Sequence, residues 1–558
     1  MKVAIFGGGV AGLSAAHELI NRGFEVEVYE ATTTTGGKAR STGVIGSGKD
    51  GRKDLPAEHG FRFFPRFYKH IVATMAQIPL KDNKGFVIDN LVETQKIRLA
   101  QFDKPSVTMP ARFPRSLKEL KLILNEGLGG NLGLSKQDKD VFALKLWQLI
   151  TSCGKRRDNE YERISWWEFM DADNHSNAYQ TLLVKGLTRT LVAARAEKAS
   201  TKTGGDIFIQ LIFDIARPGI SSDRILNAPT NDAWINPWMD YLIKKGVTFF
   251  YNSPLKSFNC NKQTIINALI TNDNNYKTVQ ADFYLAAVPV EVMANVVDSN
   301  LLAIDPTLQS IKTLSEEVSW MNGSQFYLTE DIQICEGHTI YIDTPWALTS
   351  ISQKQFWPNV NLQEYGDGKV KGILSIDISN WDAPGIIYNK PAKECSKTEI
   401  IKEIWEQLKK SLNVNGTIVL KDSHLHDWYI DSDIEFDIPK KNKEPLLVNT
   451  VNSWQLRPFA YTRIPNLFLA SDYVKTYTDL ATMEGANEAA RRAVNCIIDS
   501  SKKSVTKCKV WDLHEPWIFT LYRWRDNKRY EKGLPWNEKL PLFFETIQRV
   551  LLFFKRLF

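Results

Sequence analysis

Gly7, Gly9 and Gly12 are spaced GxGxxG between an apolar run, Lys2 to Phe6, and a stretch, AGLSAAHELINRG, whose apolar residues recur at helical intervals. The chemistry open to such a turn is diphosphate binding. Gly7 permits a tight turn, Gly9 lets backbone approach a pyrophosphate, and Gly12 lets the helix pack on the strand. The free N–H groups and positive dipole end of the helix then face the anion. Glu30 closes a second strand-like stretch, Glu25 to Glu30, eighteen residues after Gly12, where a carboxylate can accept both hydroxyls of a ribose. A dinucleotide, NAD or FAD, is expected; a glycine-rich turn with an incidental acidic residue is the plainer alternative. Little else has the spacing of a catalytic centre. The six cysteines (Cys153, Cys260, Cys335, Cys395, Cys496 and Cys508) form no CxxC pair and no zinc-like pattern with histidine, so no metal site is expected and reduced thiols in a cytosolic setting are. The sequence shows no nucleophile triad and no paired-carboxylate signature.

The elements that must position these residues are a strand, a turn, a helix and a strand within the first thirty residues, the parallel unit of a doubly wound nucleotide-binding sheet. A chain of 558 residues exceeds one core. Its 43% hydrophobic and 24% charged content is that of a folded globular protein, and a formal charge of +6 is too small to argue for a nucleic-acid partner. The start VAIF runs into a glycine turn, so no secretory signal is expected, and no apolar run reaches the ~20 residues of a membrane span. The ATTTT stretch and residues 43–54 read as loops. Residues from about 80 to 235 read as mainly helical, including YERISWWEFM and TRTLVAARAEKAS. GVTFFYNSPLKSFNC and ADFYLAAVPVEVM return to strands, and NLFLASDYVKTYTDLATMEGANEAARRAVNCII gives a strand, a loop and a helix. The expected fold is α/β. A Rossmann-like dinucleotide-binding domain (1–80, 241–295 and 461–504) is interleaved with an α+β substrate domain (81–240 and 296–460), and an amphipathic extension (505–558) follows.

Taken together these motifs resemble the flavin amine oxidase superfamily, and within it the plant and cyanobacterial type of phytoene and zeta-carotene desaturase, over most of residues 1–500. Gly36-Gly37-Lys38-Ala39-Arg40 looks like the turn that such flavoproteins pass beneath the diphosphate, which favours FAD over NAD and implies cofactor contacts by Gly37, Lys38 and Arg40. AEHGFRFFPRFYKHI looks like the stretch that runs past the isoalloxazine ring, placing Glu58, Gly60, Phe61, Phe63 and Phe64 there. NSPLKSF implies a backbone contact to adenine at Leu255, and FLASDYVKTYTDLATMEGA implies that Asp472 binds the ribityl or diphosphate part while Met483 to Ala486 approach the pyrimidine end. FAD is expected to be held noncovalently, since no cysteine or histidine lies in a covalent-attachment motif.

Two departures set the expected reaction. The resemblance implies that amine-oxidising members carry a water-holding lysine on a substrate-domain strand, whereas SWMNGSQFYL has none, and that they carry a tyrosine just before the MEG turn, where this chain has Thr482. The central stretches SWWEFM, GLTRTLVAARAEKAS and NAPTNDAWINPW do not match the desaturases. The expected activity is dehydrogenation, desaturation or isomerisation of a hydrophobic isoprenoid or lipid substrate by hydride transfer to flavin N5, with a quinone or oxygen as electron acceptor. An amine or amino-acid oxidase, and a membrane-tethered flavin-binding protein without turnover, are the alternatives. Glu58 is either an acid or base beside the ring or a structural carboxylate, His59 is incidental, and the sequence names no catalytic residue.

Beyond residue 505, Trp517, Tyr522, Trp524, Tyr530 and Trp536 interleave with Arg523, Arg525, Lys528, Arg529 and Lys532. Phe543, Phe544, Ile547, Val550, Leu551, Phe554 and Phe558 then share one helical face. An in-plane anchor on a membrane surface is expected for a cytoplasmic, peripheral enzyme; a helix docked on the protein's own core or at a dimer interface is the alternative.

Overall fold

A computed structural model of the chain describes residues 1–81, 84–110, 133–186, 195–215, 221, 223–272 and 275–538. Five parallel strands form the nucleotide sheet: β1 (Lys2–Phe6), β2 (Glu25–Tyr29), β3 (Thr248–Phe250), β4 (Phe283–Ala286) and β5 (Leu467–Leu469), in the order β5-β4-β1-β2-β3. Val3 to Phe6 are wholly buried, as an apolar run must be when helices or loops cover both faces of a parallel sheet. Helix α1 (Val10–Ile20) packs against helix α2 (Met483–Ser501), where Ala486, Ala489, Ala490 and Ala493 permit close approach. Asn487 Nδ2 donates to Ser14 Oγ at 2.7 Å across that contact. The strand order reverses at β1, so the carboxyl ends of β1 and β4 open a crevice between them.

A second sheet has seven strands, in the spatial order Leu425–Ile430, Asn322–Leu328, Gly372–Ile378, Leu348–Ser352, Gly337–Tyr341, Lys96–Gln101 and Lys104–Pro110. Its back face buries Phe326, Leu374, Ile376 and Ile378 against Ile400, Ile404, Trp405 and Leu408 of the helix Lys397–Leu412. Its front face meets residues 56–63: Tyr327 OH donates to Pro56 O at 2.9 Å, and Gly323 N donates to His59 O at 2.6 Å.

The stretch read as mainly helical departs from that expectation at its start. Leu91–Glu93, Lys96–Gln101 and Lys104–Pro110 are strands, and Lys96–Gln101 runs parallel to Gly337–Tyr341. That partner lies about 240 residues later in the chain, so local periodicity carries no sign of it. Within TRTLVAARAEKAS, residues 188–194 lie outside the described set, and 195–200 form a turn that ends in bridges from Ala199 to Thr450 and from Ser165 to Ser200.

The C-terminal stretch docks on the body of the protein as far as residue 538. In helix α3 (Thr520–Tyr530), Asp526 is buried and accepts from Cys153 N at 2.9 Å and from Arg156 Nε at 3.0 Å. Trp147 makes edge contacts with Phe519 and Tyr522, and Trp536 Nε1 donates to Thr151 Oγ1 at 3.0 Å. The apolar stripe from Phe543 to Phe558 lies outside the described residues. Among the described residues no helix is long and apolar enough to cross a membrane.

Candidate active site

The glycine turn after β1 is shaped partly by the protein and partly by space it leaves open. Gly7 has φ +104°, and a Cβ there would come within 2.5 Å of Ala287 O. A Cβ on Gly12 would lie 1.9 Å from Gly7 O, so the helix can start over the turn only with glycine there. Gly9 differs. Its backbone is extended (φ −73°, ψ −175°) and the nearest protein atom to a Cβ would be Gly37 Cα at 3.7 Å. The chain itself leaves the space above Gly9 unfilled. The first turn of α1 has neither a capping side chain nor an acidic residue, so its N–H groups face that space. Gly36 N donates to Gly8 O at 2.9 Å, and a Cβ on Gly37 would lie 3.0 Å from Gly9 Cα, which lays the two glycine turns backbone against backbone.

Glu30 sits at the end of β2, buried, with Oε2 accepting from Gly8 N at 2.7 Å and Oε1 accepting from Thr32 N and Oγ1 at 2.8 Å. Each carboxylate oxygen retains lone-pair capacity for a ribose hydroxyl. Ser253 N donates to Glu30 O at 2.8 Å, which brings buried Leu255, at the head of the strand Leu255–Cys260, close to the same corner. Asp472 follows β5 where Ala470 N donates to Ala286 O, beside the end of β4. Partly exposed Met483 opens α2, whose N-cap Thr482 accepts from Gly485 N at 3.1 Å. Open space over Gly9, an uncapped helix start and a carboxylate at the end of β2 together fit the diphosphate and ribose of FAD.

The two cations of the second glycine turn hold protein groups. Lys38 Nζ reaches Glu291 Oε1 at 3.4 Å and also Pro445 O, while Arg40 pairs with Asp433 at 2.9 Å and Glu444 at 2.8 Å. They tie loop 433–445 to the nucleotide turn. His59, Asp433 and Glu444 offer ligand atoms within 4.8 Å of one another, but Arg40 already bridges the two carboxylates.

Residues 58–64 cross between the two sheets. Both oxygens of buried Glu58 are taken by Thr230, through its N–H at 3.0 Å and its hydroxyl at 2.9 Å. Burial pushes the Glu58 carboxyl up to about 7 against the opposing charge of Arg62. The geometry is that of a structural carboxylate. Gly60 lies against Asp377, whose Oδ1 would be 2.7 Å from a Cβ at position 60. The rings of Phe61 and Phe63 flank His338 at 5.2 and 5.4 Å, and His338 Nδ1 is 3.0 Å from Asp223 Oδ2. Phe64 turns away, fully buried and edge-on to Trp234 at 5.6 Å in the core of the nucleotide domain. Glu484, in the MEG turn, accepts from the N–H groups of Lys69, His70 and Ile71 and lies 2.7 Å from His70 Nδ1, locking the helix His70–Met75 onto α2.

Sequence reading missed Gln325, His338 and Asp377, which the front face of the seven-stranded sheet brings against residues 59–63. The available signal was GILSIDI, where Ser375 and Asp377 place polar groups at period two in an otherwise apolar strand.

Residues 10–498 match the model of the flavin containing amine oxidoreductase family. Over 316 residues the chain is 27% identical to the zeta-carotene desaturase of Synechocystis sp., covering 54% of this chain and 60% of that one. Over 297 residues it is 23% identical to the 15-cis-phytoene desaturase of Synechococcus elongatus, covering 52% and 58%. These matches span about three fifths of the length of each relative. Among solved structures, putrescine oxidase bound to putrescine superposes with a TM-score of 0.58 at 13% identity, covering 89% of this chain and 99% of that one, which is a likeness of fold. The open diphosphate cradle and the family match lead to one identification: the chain belongs to the flavin-containing amine oxidoreductases and is an FAD-dependent oxidoreductase.

Proposed function

We propose that this protein dehydrogenates, desaturates or isomerises a hydrophobic substrate, isoprenoid or carotenoid-like or lipid. The observation that carries the reading is the makeup of the wall beside residues 59–63. The strand Asn322–Leu328 presents Gly323 and Gln325 there and contains no lysine, and Thr482 is occupied in capping α2. The pair that would handle an amine is therefore replaced, and the names of the desaturase relatives support the same direction. Bound FAD supplies a two-electron acceptor. The chain's own residues bind and shield: the glycine turns hold the diphosphate, while Phe61, Phe63, Tyr327 and Ile351 give the interdomain wall an apolar surface that excludes water. A quinone or oxygen takes the electrons onward. With phytoene or zeta-carotene in detergent, product absorbance is expected to move to longer wavelength as conjugation extends, and an amine panel is expected to release no hydrogen peroxide. Peroxide release with a mono- or polyamine and an unchanged polyene would replace this reading with that of an amine oxidase.

Residues 505–558 are proposed to bring a cytoplasmic enzyme to a membrane surface. Trp517 and Trp524 remain about half exposed on the docked segment, and the stripe from Phe543 to Phe558 continues beyond it. Removing residues 540–558 is expected to move the protein from liposome pellet to supernatant with flavin retained. Loss of flavin, or unchanged sedimentation, would count against the anchor.

A further inference from the structure

The front face of the seven-stranded sheet carries polar side chains among the apolar ones where it meets residues 59–63. Cross-strand register places Gly323 and Thr349 on either side of Asp377, and Gln325 beside Ser375 one pair further along. Ser375 Oγ donates to Gln325 Oε1 at 2.6 Å. Three polar atoms on this face have no hydrogen-bond partner among the described residues: Asp377 Oδ1, Gln325 Nε2 and His338 Nε2. Their residues are 7%, 1% and 8% exposed. Unpaired buried polar atoms also occur elsewhere among the described residues, but here three gather on one face, where another molecule can partner them or react with them. Glu58, the carboxyl that the sequence singled out, has both oxygens engaged by Thr230, whereas Asp377 has an unpartnered oxygen directed at Gly60.

We propose that Asp377 is the proton acceptor of the dehydrogenation, an assignment that rests on the functional reading above. Forming a carbon–carbon double bond from two adjacent C–H groups breaks both bonds. One hydrogen leaves with its electron pair to FAD, which gains two electrons. The other leaves as a proton to Asp377 Oδ1, and the electrons of that bond become the π bond. Glycine at position 60 lets the crossing backbone lie against the carboxylate with no side chain between them, since a Cβ there would come within 2.7 Å of Oδ1. Burial raises the Asp377 carboxyl to about 6, against the lowering influence of Arg62, His59, the Phe61 N–H, which donates to the carboxylate, and His338, a range in which a general base is effective near neutral pH. The charged groups around it are Arg62, His59 and Glu58 from the crossing segment, His338 backed by Asp223, and Asp431 paired with His59. The neighbouring strands Asn322–Leu328 and Leu348–Ser352 contain no charged side chain.

The test uses FAD-loaded wild type, Asp377→Asn and Asp377→Glu. The first readout needs no substrate: the absorbance of oxidised flavin is titrated with pH. A carboxyl ionising beside the ring gives wild type a spectral transition near pH 6 that Asp377→Asn lacks and Asp377→Glu displaces. The second is anaerobic flavin reduction by the polyene, expected to be about 100-fold slower in Asp377→Asn, partly recovered in Asp377→Glu and unchanged with dithionite. A transition that persists in Asp377→Asn, or reduction of that variant by the polyene at the wild-type rate, overturns the proposal while the functional reading stands. Wild type that an amine reduces and no polyene does overturns both. If Asp377→Asn loses flavin, an unmoved transition in Asp377→Glu overturns the proposal and a displaced one supports it.

Discussion

Gly9→Val is expected to purify folded but without flavin. A valine is compatible with the extended backbone at this position, and the nearest protein atom to its Cβ lies at 3.7 Å, so the protein's own packing tolerates the change. The branched side chain instead fills the space over the uncapped start of α1, where the pyrophosphate is to lie. Affinity for FAD is expected to fall by at least about 1000-fold, equivalent to ~4 kcal/mol, since several backbone N–H contacts to one diphosphate are lost together. Absorbance after gel filtration measures bound flavin, and far-ultraviolet circular dichroism measures the fold. Gly12→Ala is the informative contrast. Its Cβ would collide with Gly7 O at 1.9 Å, so fold and flavin are expected to fail together. A Gly9→Val protein with full flavin absorbance would show that the diphosphate lies elsewhere. In wild type, denaturation is expected to release FAD intact, as noncovalent binding requires.

The second large effect is expected at the C-terminal junction. Arg156 is nearly fully buried between Asp526 and Glu160, and both Asp526 oxygens accept from its Nε at 3.0 Å. Asp526→Ala leaves that guanidinium short of its buried partner and orphans Cys153 N–H, at a cost of about 3 kcal/mol to the docking of residues 505–538. Protease cleavage within this segment is then expected to speed up about 100-fold under conditions where cutting tracks the opened population. Flavin should stay bound, because Asp526 lies in α3 and its partners lie outside both glycine turns. Asp526→Asn keeps the shape and one acceptor, so an intermediate rate is expected. An unchanged cleavage rate in Asp526→Ala would mean that the segment does not depend on this junction.

What the sequence made legible, and what it hid, follows the range of each constraint. Gly7 and Gly12 are demanded by atoms within a few residues or by the strand next door, and their motif could be read directly. Glu30 is legible for the same reason, since strand length fixes where β2 ends. The strands at Lys96–Gln101 and Lys104–Pro110 were hidden because their edge of the sheet is completed by Gly337–Tyr341, far along the chain. Asp377 was hidden because its significance comes from Gly60 and Gly323, which only tertiary structure brings to it. Glu58 was visible beside a motif, yet Thr230, 172 residues away, determines that it is a held carboxylate. Asp526 drew no reading within its basic and aromatic stretch, whereas its buried partner Arg156 makes it a docking residue.

The central claim, that a flavin in this site takes electrons from an isoprenoid carbon chain and not from an amine, is tested most directly by mixing the oxidised holoenzyme with substrate under anaerobic conditions and following flavin absorbance. Bleaching by phytoene or zeta-carotene, with none by putrescine, a monoamine or an amino acid, is the predicted result. Bleaching by an amine and none by any polyene would contradict it.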